Sequence, residues 1–350
     1  MDILTRTGKE KMAPPQIALS VIVPVYNGGQ TLKMCLGGIF ASNYKDFEVI
    51  IVDDSSNDNS VEIAKLFPCR ILQTGRNLGP GRARNLGAER SRGEILVFVD
   101  SDVVIKKETF DIILNSFKRD PGIDAVIGYF SLEHPHRNFF SQYKNVYMNF
   151  IFSGLPAYID FLFTALCAIK KASYLEFCAD RSKAEDTALG QRFKMSGKKI
   201  YLPQELQAVH LKKYSFISFI KNDFMIPYHW AKLFLRYRGL NDIFRKKRFA
   251  HAKLGQILSV VASCLILISA MGLMLWPPAL PLTLAMILIF FILNFRFFLF
   301  LYKVNGVTFV LKSTVISYLD TLTMGLGIAA GSVSYFFEIL KSGSPIISNG

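Results

Sequence analysis

Two carboxylates, Asp100 and Asp102, lie one residue apart directly after the apolar run Ile95–Val99. At that spacing the side chains can share one hard cation, or one can bind a cation and the other a hydroxyl. Mg2+ and Mn2+ prefer oxygen ligands and usually bind through one or two carboxylates together with phosphate oxygens. The pair therefore predicts a site in which a divalent cation neutralises a diphosphate leaving group.

Two further polar clusters follow apolar runs nearer the N-terminus. The segment Tyr26-Asn27-Gly28-Gly29 follows the run Ser20–Val25, and the segment Asp53–Asp58 follows the run Glu48–Val52. Continuous apolar runs of this length indicate strands that are buried on both faces. A fourth run, Arg70–Leu72, is also expected to form a strand.

Helical patterns separate these runs, over residues 30–42, 60–67 and 81–91, with Thr31 and Asn59 as N-caps. The alternation predicts a Rossmann-like, mostly parallel α/β sheet with helices on both faces. Because ligands bind outside the carboxyl ends of such strands, all three polar clusters are expected on one edge. The alternative is ordinary turn chemistry, since Asp, Asn, Ser and Gly favour loops. The first turn lacks the G-x-G-x-x-G pattern, which argues against a dehydrogenase.

The composition excludes a disordered chain and a disulfide scaffold. The 350 residues are 51% hydrophobic, and the five cysteines include no C-x-x-C pair that would suggest structural zinc. The net charge of +14 is concentrated in residues 212–253, which carry 11 Lys or Arg but two Asp or Glu. Nucleic-acid binding is one interpretation of this block. A basic collar against anionic lipid is favoured, because the block immediately precedes the most apolar part of the chain.

Three long apolar stretches come after the basic block, over residues 255–276, 280–302 and 315–340. Each is long enough to span a bilayer, although buried helices of a soluble protein are the alternative. Lys and Arg before the first stretch predict that this side is cytoplasmic, and no signal peptide is visible. We therefore expect an integral inner-membrane protein of bacterial type with its N-terminal domain in the cytoplasm. The expected organisation is a tail (1–16), a soluble domain (17–212), a basic amphipathic interfacial segment (213–253), a membrane region (254–340) and a second tail (341–350).

Five motifs occur in the order and approximate spacing of family 2 glycosyltransferases, which the chain resembles over residues 17–215. The motifs are Ser20–Asn27, Ile51–Asp58, Arg76–Asn85, Val99–Asp102 and Glu185-Asp186. The resemblance implies the GT-A fold in the soluble domain. The C-terminal spans resemble those of bacterial, membrane-anchored members in hydropathy alone.

The resemblance also implies roles for individual residues. The implied nucleotide-binding residues are Pro24, Tyr26, Asn27, Asp53, Asp54, Gly79, Arg84 and Asp100. Asp102 is the implied ligand of Mg2+ or Mn2+, with His210 as a candidate second ligand, and Asp186 is the implied catalytic base next to Glu185. Arg84 alternatively bridges strand ends, and His210 is alternatively an ordinary surface residue. Acidic residues at a helix N-terminus are favoured for electrostatic reasons alone.

The implied activity is inverting transfer of one sugar, of hexosyltransferase type, from a UDP- or GDP-linked donor. The expected acceptor is membrane-associated, such as a polyprenyl phosphate or a lipid-linked glycan of the cell envelope. A processive synthase and a non-catalytic membrane scaffold are the alternatives. Processive relatives carry Q/R-x-x-R-W where this chain has Ile226-Pro-Tyr-His-Trp230, so single transfer is favoured. No nucleic-acid partner is expected, and a homo-oligomer is compatible with the sequence.

Overall fold

The computed structural model describes residues 18–177, 185–236, 248–249, 252–273 and 276–342. The predicted N-terminal tail (1–16) and nearly all of the predicted C-terminal tail (341–350) lie outside these ranges, as does part of the predicted interfacial segment.

An eight-stranded mixed sheet forms the centre of the N-terminal domain, in the order β3-β2-β1-β4-β9-β6-β10-β8. Its strands are β1 (Leu19–Val25), β2 (Phe47–Asp53), β3 (Arg70–Gln73), β4 (Ile95–Val99), β6 (Ile123–Ile127), β8 (Tyr158–Ile159), β9 (Leu166–Lys170) and β10 (Lys199–Tyr201). A second sheet, in the order β5-β11-β7, contains β5 (Val103–Ile105), β7 (Tyr129–Phe130) and β11 (Gln207–His210). Strands β12 (Arg248–Phe249) and β13 (Ala252–Lys253) form a short hairpin before the C-terminal helices.

Seven helices belong to the N-terminal domain, and four come after it within the described ranges. The first group is α1 (Leu32–Phe40), α2 (Ser60–Ala64), α3 (Pro80–Arg90), α4 (Thr109–Arg119), α5 (Phe139–Ser153), α6 (Lys171–Phe177) and α7 (Glu185–Met195). The second group is α8 (Phe216–Arg236), α9 (Leu254–Gly272), α10 (Leu280–Asn305) and α11 (Val307–Ser342).

The four strands predicted from apolar runs are confirmed to within one or two residues, and so is the α/β class. Strands β1 to β4 are parallel to one another, as predicted. Beyond β4 the sheet is mixed, because β9 is antiparallel to both β4 and β6. Thr31 and Asn59 occupy N-cap positions, but their side chains make no capping hydrogen bond.

The main core lies on both faces of the large sheet, because successive side chains of a strand point to opposite faces. In β1, Val21 and Val23 pack into one cluster with α1 and α4, whereas Ile22 packs into the other cluster with α3. All of β1 is buried. The strand ends, and therefore the loops after them, are fixed by packing on two sides.

A third cluster joins the N-terminal domain to the C-terminal helices. It contains Tyr143 and Val146 from α5, Phe219 from α8, and Phe297 and Leu301 from α10. Helix α5 thus presents one face to the domain and the other to a helix of the apolar region.

Three helices are long and apolar enough to cross a membrane, over Leu254–Gly272, Pro277–Asn305 and Val307–Lys341. They coincide with the three predicted apolar stretches. The third, α11, is one continuous helix of 36 residues. At 1.5 Å per residue it is roughly 54 Å long and exceeds the thickness of a bilayer core.

Helix α8, at the start of the segment predicted to lie in the membrane interface, packs along α11. Two glycines of α11 allow the backbones to approach closely. A Cβ atom at Gly327 would lie 2.3 Å from the carbonyl oxygen of Phe224, and one at Gly331 would lie 2.2 Å from that of Tyr228. Tyr228 also donates a hydrogen bond to Ser334, at 2.7 Å. Small residues four apart are typical of close helix packing in membranes.

We predict that Gly331→Ala separates α8 from α11 and destabilises the protein by about 1–3 kcal/mol, the usual range for overpacking. Thermal unfolding in detergent, followed by tryptophan fluorescence, measures the effect. Gly272→Ala is the matched control, because no atom of the described residues lies within 4 Å of its added Cβ. Equal melting temperatures for the two variants would contradict the predicted contact.

Candidate active site at the carboxyl edge of the sheet

The loops after β1 and β2 interlock through hydrogen bonds. The backbone N–H of Asn27 donates to Ser56 Oγ at 2.9 Å, and the Asn27 side chain accepts from the N–H of Asn57 at 2.8 Å. The N–H of Gly29 donates to Asp58 Oδ2 at 2.8 Å. Asn27 adopts a positive φ of 52°, a conformation that asparagine tolerates better than most residues. Together these bonds give the first turn a defined shape.

Pro24 and Asp53 lie at the ends of their strands and are buried. Asp53 Oδ1 accepts from the N–H of Ser56 at 3.1 Å, which closes the turn after β2. Tyr26, by contrast, is 48% exposed. Of Pro24, Asp53 and Tyr26, Tyr26 therefore has the side chain that is most accessible to a ligand at this edge.

The Asp54 carboxylate organises the loop before α3. It accepts hydrogen bonds from Thr74 Oγ1 at 2.7 Å, from the N–H of Leu78 at 2.9 Å and from the N–H of Gly79 at 2.7 Å. Asp54 is buried, and Gly79 has a φ of 91°. Both Asp54 oxygens are therefore used to fold the loop 74–79, a role that the sequence did not indicate.

Arg84 joins α3 to the end of β4. Its guanidinium lies 2.7 Å from Asp100 Oδ1, and its side chain is 8% exposed. The contact agrees with the alternative role given above for Arg84, in which the residue bridges structural elements. The Asp100 side chain remains one-third exposed.

His210 lies next to Asp102 because β11 pairs antiparallel with β5. The register sets His210 opposite Val103, and the N–H of Leu211 donates to the carbonyl of Asp102 at 2.8 Å. His210 Nε2 is 3.5 Å from Asp102 Oδ2. The His210 ring stacks on Phe130, with centroids 4.1 Å apart and planes at 3°. Phe130, which sequence reasoning did not identify, thus fixes the plane of the imidazole.

Electrostatics favour the ionised form of Asp102. Burial alone would raise its pKa, but the hydrogen bond and charge of His210, together with the charge of Lys212, hold the pKa below the ordinary value. The two aspartates thus have different partners, since Asp100 contacts Arg84 and Asp102 contacts His210. An ionised carboxylate suits a hard cation.

The residues present fit a divalent cation that takes most of its ligands from elsewhere. Within the described ranges, no group of three or more His, Cys, Asp or Glu side chains is arranged to hold a metal ion. Asp102 and His210 can supply two donors, and Mg2+ typically needs one or two carboxylates when phosphate oxygens and water complete its shell.

A cavity of about 770 Å³ is lined both by residues of this edge and by residues of the apolar helices. Asp100, Asp102 and His210 contribute to its wall, together with residues of α5, α8 and the three C-terminal helices. The segment Ile226-Pro-Tyr-His-Trp230 of α8 contributes to it through Ile226, Pro227, His229 and Trp230. Sequence reasoning located this segment but not the cavity, which requires helices from distant parts of the chain.

Several polar groups in the cavity wall are bonded to one another. Gln256 donates to Tyr147 at 2.8 Å, and Asn294 donates to Ser259 at 2.6 Å. These bonds join α5 to α9 and α10 to α9. Because these polar groups bond to one another, much of the surface that the cavity offers to a ligand is apolar.

The proposed base lies at the first turn of α7, which begins at Glu185. The side chains of Glu185 and Asp186 fall outside the part of the chain that the structure describes. Their positions relative to Asp102 stay a prediction.

A model of glycosyl transferase family 2 matches residues 20–173. Among curated proteins, glycosyltransferase GlyG of Streptococcus pneumoniae is 34% identical over 128 residues, which is 35% of this chain and 42% of the relative. Glycosyltransferase GlyA of the same organism is 34% identical over 213 residues, 56% of this chain and 31% of the relative. The chain spans less than half the length of these relatives.

Among solved structures, the mannosyltransferase PcManGT of Pyrobaculum calidifontis, in complex with GDP-Man and Mn2+, has a TM-score of 0.55. It is 18% identical in sequence, and the alignment covers 91% of this chain and 87% of that one. At this identity the likeness shows a shared fold.

We predict that Asp54→Asn loosens the loop 74–79, because an amide nitrogen would face a backbone N–H in place of an acceptor oxygen. A buried donor left without an acceptor costs about 1–3 kcal/mol. Hydrogen exchange at Leu78 and Gly79 should accelerate, whereas Glu62→Gln, an exposed change in α2, should leave it unchanged. Unchanged protection in Asp54→Asn would show that the loop does not depend on this carboxylate.

Proposed function

We propose that this chain is a family 2 glycosyltransferase, whose family model matches residues 20–173, and that it transfers a single sugar from a nucleotide-sugar donor to a membrane-associated acceptor. The α/β sheet with flanking helices is the GT-A fold that the resemblance implies. The proposal concerns the whole protein, whereas the family match covers its N-terminal part.

The observation that carries the proposal is the lining of one cavity by both parts of the chain. Its wall contains Asp100 and Asp102 as well as residues of helices that are long and apolar enough to cross a membrane. An acceptor with an apolar chain can therefore occupy the cavity while its reactive group reaches the sheet edge. A polyprenyl phosphate or a lipid-linked glycan has this form.

The donor is proposed to bind at the loops after β1, β2 and β4. Exposed Tyr26 offers a ring on which a base can stack, and the loop 74–79 held by Asp54 closes over the nucleotide. Asp102 and His210 would hold Mg2+ or Mn2+ against the diphosphate. When bound, such a cation stabilises the negative charge of the leaving nucleotide. UDP- and GDP-linked sugars both remain candidates.

The proposed chemistry is one direct displacement, which inverts the anomeric configuration. The acceptor oxygen forms a bond to the anomeric carbon while the bond from that carbon to the diphosphate oxygen breaks. Asp186, beside Glu185, would take the proton of an acceptor hydroxyl as general base. A lipid phosphate is already anionic, and towards such an acceptor Asp186 would instead orient the nucleophile.

We further propose that the domain lies on the cytoplasmic side of the membrane. Lys and Arg residues before α9 favour that side, since cytoplasmic loops carry an excess of positive charge. We favour single transfer over polymer extrusion, because two positions depart from the motif of processive relatives. Ile226 stands where those relatives carry Gln or Arg, and His229 stands where they carry Arg.

We predict that Asp102→Asn lowers turnover roughly 100-fold or more, since a weakened cation site no longer stabilises the leaving diphosphate. The assay uses purified protein in nanodiscs, a panel of UDP- and GDP-sugars, and UDP or GDP release with and without a polyprenyl phosphate. Glu62→Gln should retain wild-type rates. Absence of release with every donor and acceptor, or full activity of Asp102→Asn, would refute the mechanism.

We predict that Ile226→Trp, which narrows the cavity, lowers transfer to a long-chain lipid acceptor about tenfold or more while donor binding is unchanged. Ile217→Trp is the matched control, because Ile217 lies on the same helix and is 78% exposed. Donor affinity is measured by calorimetry and transfer by radiolabelled sugar in the lipid fraction. Equal transfer by both variants would place the acceptor elsewhere.

A further inference from the structure

A buried ionic cluster lies in the wall of the cavity, where three parts of the chain meet. Lys144 comes from α5, Asp223 from α8 and Asp320 from α11, and all three line the cavity. Lys144 is 7% exposed, and the two aspartates are 1% exposed. Lys144 Nζ forms an ion pair with Asp223 Oδ1, which also accepts from Asn222 Nδ2 at 2.8 Å.

Among the described residues, one oxygen of each aspartate has no hydrogen-bond donor. The Tyr143 hydroxyl donates to Asp320 Oδ2 at 3.4 Å and lies 3.0 Å from Ser317 Oγ. Asp223 Oδ2 and Asp320 Oδ1 are buried without a partner in that part of the chain. The Asp320 carboxyl is nevertheless within hydrogen-bonding reach of Asp223. Two acceptors therefore meet, and neither can donate to the other while both are ionised.

The charges of the cluster do not balance. Burial alone would lower the pKa of Lys144, but the negative charges of Asp223 and Asp320 raise it above its ordinary value, so Lys144 stays a cation. Two ionised carboxylates would leave one negative charge unpaired inside the protein, and the effective cost of a buried unpaired ion is several kcal/mol.

The phenols that face the cluster add no positive charge. Burial raises the pKa of Tyr143 and of Tyr147, so both phenols stay neutral. A further phenol near Lys144 is Tyr214, which comes after β11 and supplies no positive charge. Among the groups named here, Lys144 thus supplies one positive charge against two carboxyls, and a bound cation would balance the second carboxyl.

We propose that Asp223 and Asp320 form a cation site that binds a single proton shared between the two carboxyl groups. One proton lets one carboxyl donate a hydrogen bond to the other and makes the cluster neutral. A sodium or potassium ion would need further oxygen ligands, and the nearby hydroxyls of Ser317 and Tyr143 already bond to each other.

The bound proton connects the N-terminal domain to the membrane helix. Lys144 belongs to the domain and Asp320 to α11, with Asp223 between them on α8. Loss of the proton would leave two carboxylates repelling each other across the α8–α11 contact. This inference stands on the cluster alone and does not depend on the proposed sugar transfer.

The test uses Asp320→Asn, because the amide nitrogen can donate to the Asp223 carboxylate without any proton uptake. At neutral pH the folded wild type holds the shared proton. In the unfolded chain an ordinary carboxyl, with a pKa of about 4, has lost its proton at this pH. Wild-type stability should therefore fall as pH rises, since the native state binds more protons than the unfolded state. Asp320→Asn should show a weaker fall.

Melting temperatures of the full-length protein in detergent are measured from about pH 6 to about pH 9. Asp46→Asn, an exposed change, should follow the wild-type curve. Wild-type and Asp320→Asn curves of equal slope would overturn the proposal, as would a wild-type stability that depends on Na+ or K+ but not on pH.

Infrared spectroscopy gives an independent measurement. The wild type should show the carbonyl stretch of a protonated carboxylic acid at about pH 7, and this band should be lost in Asp320→Asn. If that variant does not fold, the wild-type spectrum still decides, because absence of any protonated carboxyl band would overturn the proposal.

Discussion

The antiparallel pairing of β5 with β11 is the constraint on which the site depends. It brings His210 beside Asp102, although more than a hundred residues separate them in the chain. The same pairing directs the chain from β11 into α8, which forms one wall of the cavity. One strand register thus sets both the position of His210 beside Asp102 and the route by which the chain reaches the apolar helices.

Much of the first half of the domain could be predicted from the sequence, because there the local signal and the fold agree. The apolar runs before Tyr26, Asp53 and Asp100 are strands buried on both faces, so their ends had to lie on one edge. The antiparallel insertion of β9 could not be predicted, since Leu166–Lys170 has the same apolar pattern as a parallel strand. The family resemblance is confirmed, whereas the roles of the individual site residues stay predictions.

The cavity and its cluster lay beyond sequence reasoning for a different reason. Asp320 is a charged residue within an apolar helix, and nothing in the local sequence pairs it with Asp223 or Lys144. Such contacts depend on the close approach of α8 and α11 at Gly327 and Gly331. The two backbones can approach there because glycine has no side chain. A charge pattern within one segment does not reveal partners on another.

The aromatic contact of α5 with α10 bears on how the protein is made. Phe150 packs against Phe297 and Phe300, with ring centroids 5.2 and 5.4 Å apart. The ribosome synthesises α5 long before α10. The face of α5 that contacts α10 therefore stays exposed while the rest of the chain is translated. Nascent domains with exposed apolar surface are prone to aggregate. Packing of the C-terminal helices against α5 is thus also the step that completes the folding of the domain preceding them.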